Sequence, residues 1–180
     1  VEPYYGGSHK QFVDGLMSHM DARFSLLQLP ARKWKMRMQL AAPWFVQKIK
    51  EMDDIRRGVD LVLFSTFIDV AVFRALVSQV TGWNRNTSFY TYFHENQFAY
   101  PGHLPKRSQH QFTAINYTSA LASDHIAFNS KYNRDTFLGQ CRKYLAKAAD
   151  MELLEDLDSI EKKSEIIYPG LDFTSIDELR

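Results

Sequence analysis

The chain has 180 residues, of which 45% are apolar, and this suits one domain with a hydrophobic core of its own. Its single cysteine, Cys141, excludes an intramolecular disulfide framework and a zinc site built from several cysteines, so a reducing compartment is expected. A formal net charge of +1 argues against a chain that binds nucleic acid through its overall charge.

Targeting signals are not evident in the sequence. No uncharged apolar run is long enough to suggest a membrane-spanning helix, and the start Val1-Glu2-Pro3 does not resemble a signal peptide. Because the chain does not begin with Met, we expect it to be a piece of a longer protein.

The charges are unevenly distributed along the chain. Every charged residue between Asp21 and Glu51 is basic, whereas residues 150–161 are mostly acidic. The basic segment is compatible with phosphate contacts or with a plain solvated face.

In chain order, strand-like runs alternate with helix-like runs. The predicted strands are the tail of a first strand at residues 1–3, then 23–29, 59–65, 88–93, 125–129 and 165–168. The predicted helices are residues 8–20, 36–52, 69–80, 109–123 and 131–149. This alternation is typical of βαβ units and indicates an α/β fold with a parallel sheet. Leucines and an isoleucine at helical spacing within residues 150–161 favour a further amphipathic helix.

Polar groups follow two of the predicted strands at the point where each strand ends. The run at residues 88–93 stops at His94, Glu95, Asn96 and Gln97, and the predicted strand at 125–129 ends at Asn129, which Ser130 follows. Binding sites of open α/β sheets lie beyond the carboxyl ends of strands, and these side chains suit proton transfer and hydroxyl orientation. The alternative is polar loops that cap their own backbone. Metal is not expected, since no second His or Cys cluster has ligand spacing.

The loop Gly6-Gly7-Ser8-His9 follows the first strand and opens a predicted helix. Glycines permit a close approach to a ligand, and a helix amino terminus offers N–H groups to an anion or a hydroxyl. The alternative is a plain strand–turn–helix junction capped by Ser8.

Residues 30–37 contain one tryptophan among basic residues, and the side chains concerned are Arg32, Lys33, Trp34, Lys35 and Arg37. Such a mixture is able to bind phosphates and to stack on a nucleobase. The alternative is a solvated loop with Trp34 folded onto the core.

Five blocks of sequence together resemble the tRNA-queuosine α-mannosyltransferase family. They are Val-Glu-Pro-Tyr-Tyr-Gly-Gly-Ser-His-Lys at 1–10, Leu-Pro-Ala-Arg-Lys-Trp-Lys-Met-Arg-Met at 29–38, Phe-His-Glu-Asn-Gln-Phe-Ala-Tyr-Pro at 93–101, Ile-Asn-Tyr-Thr-Ser-Ala-Leu-Ala-Ser-Asp at 115–124 and Phe-Asn-Ser-Lys-Tyr-Asn-Arg-Asp-Thr-Phe at 128–137. With Pro-Gly-Leu-Asp-Phe at 169–173, the resemblance covers nearly the whole chain.

The resemblance implies the amino-terminal half of a GT-B glycosyltransferase of the family 4 type. Residues 1–168 would form a Rossmann-like acceptor-side domain, with helices on both sides of a parallel sheet. Residues 169–180 would begin the linker to a carboxyl-terminal, donor-binding domain, without which the chain is expected to be inactive. The family transfers mannose from GDP-mannose to queuosine in tRNA with retention, so the implied partners are tRNA and a sugar nucleotide. No cofactor, metal or membrane is expected, and the implied location is cytoplasmic.

The resemblance also implies roles for individual residues. His94 and Glu95 match a catalytic pair near the transferred sugar. The implied substrate-binding residues are Gly6, Gly7, Ser8, His9, Asn96, Gln97, Asn129 and Ser130. The implied RNA-binding residues are Arg32, Lys33, Trp34, Lys35 and Arg37. Two other interpretations remain open, a family 4 enzyme with a lipid or glycan acceptor and a non-catalytic Rossmann-like binding module.

Overall fold

The protein is an α/β domain whose strands and helices alternate along the chain. A computed structural model describes residues 1–53, 57–99 and 106–170. In chain order its elements are β1 (Glu2–Tyr5), α1 (Gly7–His19), β2 (Gln28–Pro30), α2 (Trp34–Lys50), β3 (Leu61–Ser65), α3 (Val70–Val77), β4 (Ser88–Phe93), α4 (Lys106–Ala122), β5 (His125–Phe128), α5 (Lys131–Leu145), α6 (Leu154–Lys162) and β6 (Ser164–Ile166).

All paired strands in this part of the chain are parallel. Strands β3, β4, β5 and β6 form a four-stranded sheet in that order, and β1 pairs with β2. The second pair lies beside β3, because the amino nitrogen of Val1 donates to the Leu63 carbonyl at 2.7 Å and the Ser65 hydroxyl donates to Glu2. The predicted α/β fold with a Rossmann-like parallel sheet is confirmed.

Parallel pairing brings the carboxyl ends of the strands to one side of the sheet, which we call the carboxyl edge. The register places Tyr5 opposite Pro30 and Phe93 opposite Phe128. The loops that follow β1, β2, β4 and β5 therefore begin at this edge. Together with the first turns of α1 and α2, they carry all the site residues predicted from the sequence.

The helices bury apolar faces against the sheet. Phe45 of α2, Phe73 of α3 and Phe64 of β3 are fully buried in one cluster, whereas Phe128 of β5 and Phe137 of α5 are fully buried in another. Burying a large apolar side chain contributes roughly 1.5–3 kcal/mol, so these two clusters hold the strands and their end loops in place. Among the described helices, none is long and apolar enough to cross a membrane.

The predicted helices are confirmed, with small differences at their ends. The largest is at α5, which ends at Leu145 rather than at residue 149. The acidic stretch forms the separate helix α6, as its apolar spacing indicated. Ser130 caps α5 by accepting a hydrogen bond from the Asn133 N–H, but Ser8 is not the cap of α1, because that helix already begins at Gly7 with Gly6 before it.

The strand predicted at residues 23–29 is wrong for most of its length, since β2 comprises Gln28–Pro30 alone. The register explains this difference: Glu2 lies opposite Gln28, so no residue of β1 lies opposite residues 23–26. The proposed linker residues 171–180 lie outside the described part of the chain, and the domain boundary at residue 168 stays a prediction.

Candidate active site

A small pocket of about 90 Å³ opens at the carboxyl edge. It is lined by Ser8, Gln11, Phe12, His94, Asn129, Pro169 and Gly170. Residues from the start of α1 and from the loops after β4 and β5 therefore meet in one place, as the sequence predicted for Ser8, His94 and Asn129. The volume suffices for several water molecules or for part of a polar ligand.

Gly7 allows the chain to turn from β1 into α1. Its φ angle of 53° lies in the left-handed region that favours glycine, and nothing lies within 4 Å of a Cβ placed there. The turn starts α1 immediately after β1, which places Ser8 at the pocket and directs His9 into the protein.

His9 lies between two carboxylates. Its Nδ1 is 3.2 Å from Oε2 of Glu2, and its Nε2 is 3.3 Å from Oε2 of Glu95. Each carboxylate is held by further donors: Ser65 donates to Glu2 at 2.9 Å, and Thr66 donates to Glu95 at 2.7 Å. The network joins β1, the start of α1, the end of β3 and the loop after β4.

The environment determines the charge of His9. Burial alone would lower its pKa, but hydrogen bonds to Glu2 and Glu95, together with their charges, outweigh burial and raise the pKa to about 9. His9 is therefore an imidazolium at neutral pH, and both of its ring nitrogens donate to carboxylates.

His94 lies against His9, but its pKa is shifted in the opposite direction. The two rings stack with centroids 4.0 Å apart, and Phe12 and Tyr92 approach His94 edge-on. Burial, and secondarily the charge on His9, lower the pKa of His94 to about 3, so this ring is neutral at neutral pH. Its Nε2 is buried and has no hydrogen-bond partner among the described residues.

Glu2, His9 and His94 also have the spacing of a three-ligand metal site, since one ligand atom from each lies within 4.8 Å of the others. Their orientation is less suitable. The lone pairs of stacked rings lie in nearly parallel planes, whereas a metal needs them to converge on one point, and both nitrogens of His9 already face carboxylates. The cluster fits a charged imidazolium between carboxylates better than a metal ion, and the absence of a metal stays a prediction.

The amide residues near the site have structural contacts. Asn96 is buried and donates to Oδ1 of Asn133 at 2.8 Å, and Asn129 donates to the His94 carbonyl at 2.6 Å. Asn133 of α5, which the sequence interpretation overlooked, also donates to the Phe93 carbonyl. Gln97 is buried, with no partner for its side-chain amide in the described part of the chain. Asn96 and Gln97 do not line the pocket, and Asn129 does.

The basic residues 32–37 begin at the same edge, immediately after β2. A Cβ on Gly6 would lie only 2.5 Å from the Cβ of Ala31, so this segment passes directly beside the loop that carries Ser8 and His9. Lys33 precedes α2 with a φ of 54°, and the first turn of α2 contains no acid.

Trp34 packs inward rather than standing free. Its ring lies 5.8 Å from that of Phe67 and 5.1 Å from that of Phe112, and Lys35 lies over its face at 5.7 Å. Phe67 in turn stacks on His9 at 5.2 Å. A continuous row of rings thus connects the basic segment with the two histidines.

Comparisons with known proteins identify the family of the chain. The family described as tRNA-queuosine alpha-mannosyltransferase N-terminal matches residues 1–171. A tRNA-queuosine alpha-mannosyltransferase of Drosophila melanogaster is 32% identical over 177 residues, which cover 96% of this chain and 44% of that protein. The chain thus spans less than half the length of this relative, and no solved structure is significantly similar to it. The family expected from the sequence blocks is confirmed, and the chain belongs to the tRNA-queuosine alpha-mannosyltransferase N-terminal family.

Proposed function

We propose that the chain is the acceptor-side domain of a glycosyltransferase that moves mannose from GDP-mannose to queuosine in tRNA, with retention of configuration. The observation that carries this proposal is the meeting of Ser8, His94 and Asn129 at one pocket, in a chain of this family. A second α/β domain completes a GT-B enzyme and holds the sugar nucleotide. The reaction needs no metal and takes place in the cytoplasm.

In this proposal, His94 and Glu95 face the transferred sugar and the acceptor hydroxyl. Neutral His94 lines the pocket, and its buried Nε2, which has no partner among the described residues, is able to form one hydrogen bond with a hydroxyl that reaches it. Glu95 is held by His9 and Thr66, and a carboxylate fixed in this way stabilises positive charge that develops on a sugar ring. We assign no general base, since the leaving phosphate is itself able to take the acceptor proton.

The remaining predicted residues take supporting roles. Gly6 and Gly7 shape the turn beside the pocket, and Ser8, Asn129 and Ser130 offer hydroxyl and amide groups near it. Asn96 and Gln97 act from within the protein, because their side chains are buried.

The basic segment is proposed to bind the phosphates of the anticodon loop through Arg32, Lys33, Lys35 and Arg37. None of these four residues takes part in an ion pair within the described ranges. Positive side chains at a helix amino terminus are unfavourable by a few tenths of a kcal/mol to about 1 kcal/mol, so a bound phosphate would offset this cost. Trp34 presents only its outward part to RNA, because Phe67 and Phe112 cover the rest. This segment favours RNA over a neutral lipid or glycan as the acceptor.

The decisive experiment uses the protein expressed from its full-length gene. Labelled GDP-mannose would be supplied with tRNA that carries queuosine or with the same tRNA lacking it. We expect mannose only on the queuosine-bearing tRNA. If a lipid or glycan is labelled instead, or if nothing is labelled, this function is refuted.

The RNA-binding role has a separate test. The double variant Lys33→Ala/Lys35→Ala should weaken tRNA binding and lower the salt-dependence slope by about 0.7–0.9 for each phosphate that is no longer neutralised. The matched control is Lys143→Ala/Lys147→Ala, two exposed lysines at the end of α5 and just beyond it. Equal tRNA affinity and equal slopes for both double variants would exclude the basic segment as the phosphate-binding surface.

A further inference from the structure

Strand β1 contains a buried carboxylate that no role described above requires. Glu2 is 1% exposed. Its Oε1 accepts hydrogen bonds from the Tyr4 N–H at 2.8 Å and from the Ser65 hydroxyl at 2.9 Å, and its Oε2 faces His9. Burying an ionised carboxylate is costly unless it is paired and hydrogen-bonded, so its position depends on a cation nearby.

That cation is His9, which also contacts Glu95 and so restricts the position of the Glu95 side chain. Because the ring nitrogens face two different carboxylates, each nitrogen carries a proton and donates. Thr66 holds the other oxygen of Glu95, so both oxygens of this residue are fixed. The side chain of Glu2 is 2% exposed and that of Glu95 is 23% exposed, so the chain of contacts runs from the interior toward solvent.

We propose that Glu2 is a positioning residue for sugar transfer, which acts through His9 to hold Glu95 and His94 in place. Glu2 keeps the His9 ring doubly protonated and in one orientation. The ring then fixes Glu95 with one nitrogen and supports His94 with its flat face. This inference rests on the proposed function, in which Glu95 and His94 meet the reacting groups.

Four titratable groups in the described part of the chain face the His9 ring. They are Glu2 and Tyr4 of β1 and Glu95 and His94 after β4. Phe67 covers another side of the ring. Of these groups, the two carboxylates stabilise the charged ring.

The variant Glu2→Gln tests whether Glu2 keeps the His9 ring doubly protonated. A glutamine keeps an oxygen for Tyr4 and Ser65, but it presents an NH₂ group to Nδ1 of His9. Nδ1 would then lose its proton, and Glu95 would face a neutral ring. In the full-length enzyme we expect kcat to fall about tenfold or more, with nearly unchanged KM values for tRNA and GDP-mannose. The alkaline limb of the kcat–pH profile should move to lower pH.

Two controls separate positioning from mere folding. Glu165→Gln makes the same chemical change at an exposed position of β6 and should leave kcat and the pH profile unchanged. If Glu2 acts through His9, Glu2→Gln should have little further effect in a His9→Gln background. Multiplicative effects on kcat, or lower thermal stability with an unshifted pH profile, would overturn the positioning role.

A measurement on the unmodified enzyme does not require the Glu2→Gln variant to fold. Nitrogen-15 chemical shifts of the His9 ring, assigned by comparison with His9→Gln, should show both nitrogens protonated at pH 7. A neutral His9 at that pH would overturn the proposal. If the unmodified enzyme fails to transfer mannose, the proposed function fails, but the histidine shifts still report on the link between Glu2 and His9. If it transfers mannose and Glu2→Gln is equally active, the positioning role alone is wrong.

Discussion

Gly6→Ala should destabilise the protein, because it would push the segment that begins at Ala31 away from the turn at residues 6–9. Gly6 has an extended backbone with a φ of −178°, so an alanine there suffers no backbone strain. Its Cβ would lie 2.5 Å from the Cβ of Ala31. Carbon atoms in contact prefer about 3.5–4.0 Å, so the two loops would have to separate by about 1 Å. Such overpacking typically costs about 1–3 kcal/mol, and we expect a loss of this size in the free energy of unfolding.

The clash should disappear when its partner atom is removed. After Ala31→Gly, the nearest of these atoms to a Cβ at position 6 is the Ala31 Cα at 3.9 Å, which is an ordinary contact. The double variant Gly6→Ala/Ala31→Gly should therefore recover the loss, which gives a coupling energy of about 1–3 kcal/mol in a double-mutant cycle. Gly15→Ala, inside α1 with nothing within 4 Å of the added Cβ, serves as the control and should stabilise the protein by about 0.5–1 kcal/mol.

Urea unfolding of the 180-residue chain, followed by circular dichroism, measures these differences. Full stability of Gly6→Ala would show that the two loops are not in close contact. If the double variant loses as much free energy of unfolding as the two single variants lose together, the clash with Ala31 is not the cause.

Four further predictions concern stability and reactivity. Asp69→Ala removes the side chain that accepts a hydrogen bond from the Val72 N–H at the start of α3 and should cost about 1 kcal/mol in urea unfolding, whereas Asp69→Asn should retain most of the cap. Burial raises the pKa of the Cys141 thiol to about 12, so iodoacetamide at pH 8 should modify it only after unfolding, and rapid labelling of the native protein would contradict its burial. The raised pKa of His9 adds stability that is complete below its ordinary value of 6.5 and is lost as the pH rises through about 9, so His9→Gln should flatten the alkaline decline of the thermal midpoint. The lowered pKa of His94 adds stability that is present above pH 6.5 and is lost as the pH falls toward about 3, so His94→Gln should flatten the acidic decline.

The sequence predicted which residues meet at the candidate site better than it predicted the contacts within that site. The strand at Ser88–Phe93 was predicted with its observed bounds, and His94 and Asn129 meet at the pocket as expected. This success has a simple cause: strand ends can be recognised from local patterns, and parallel pairing brings them to one edge. The failure at residues 23–27 has an equally simple cause, since a strand also needs a partner opposite it, and local patterns do not reveal where the partner begins.

Burial of polar side chains could not be predicted from local patterns. Asn96 and Gln97 follow a strand and suggest a solvated loop, yet both are buried. Their partners come from distant helices: Asn133 accepts from Asn96, and Oδ1 of Asn116 accepts from the Gln97 N–H at 2.8 Å. Asn116 stands inside α4, where asparagine is a poor helix former, so its contacts with this loop explain its presence.

The burial of Glu2 could not be predicted from local patterns either. A glutamate before a proline near the start of a chain suggests an exposed strand end, and neither His9 nor Ser65 is close enough in sequence to indicate a pair. In the structure, His9 contacts both Glu2 and Glu95, and its charge and those of the two carboxylates stabilise one another. Glu2 tolerates burial because His9 is charged, and His9 stays charged because two carboxylates face it. Loss of either carboxylate would leave the cation with one partner, and loss of the cation would leave Glu2 buried without a counter-charge, so the histidine should be the least replaceable of the three.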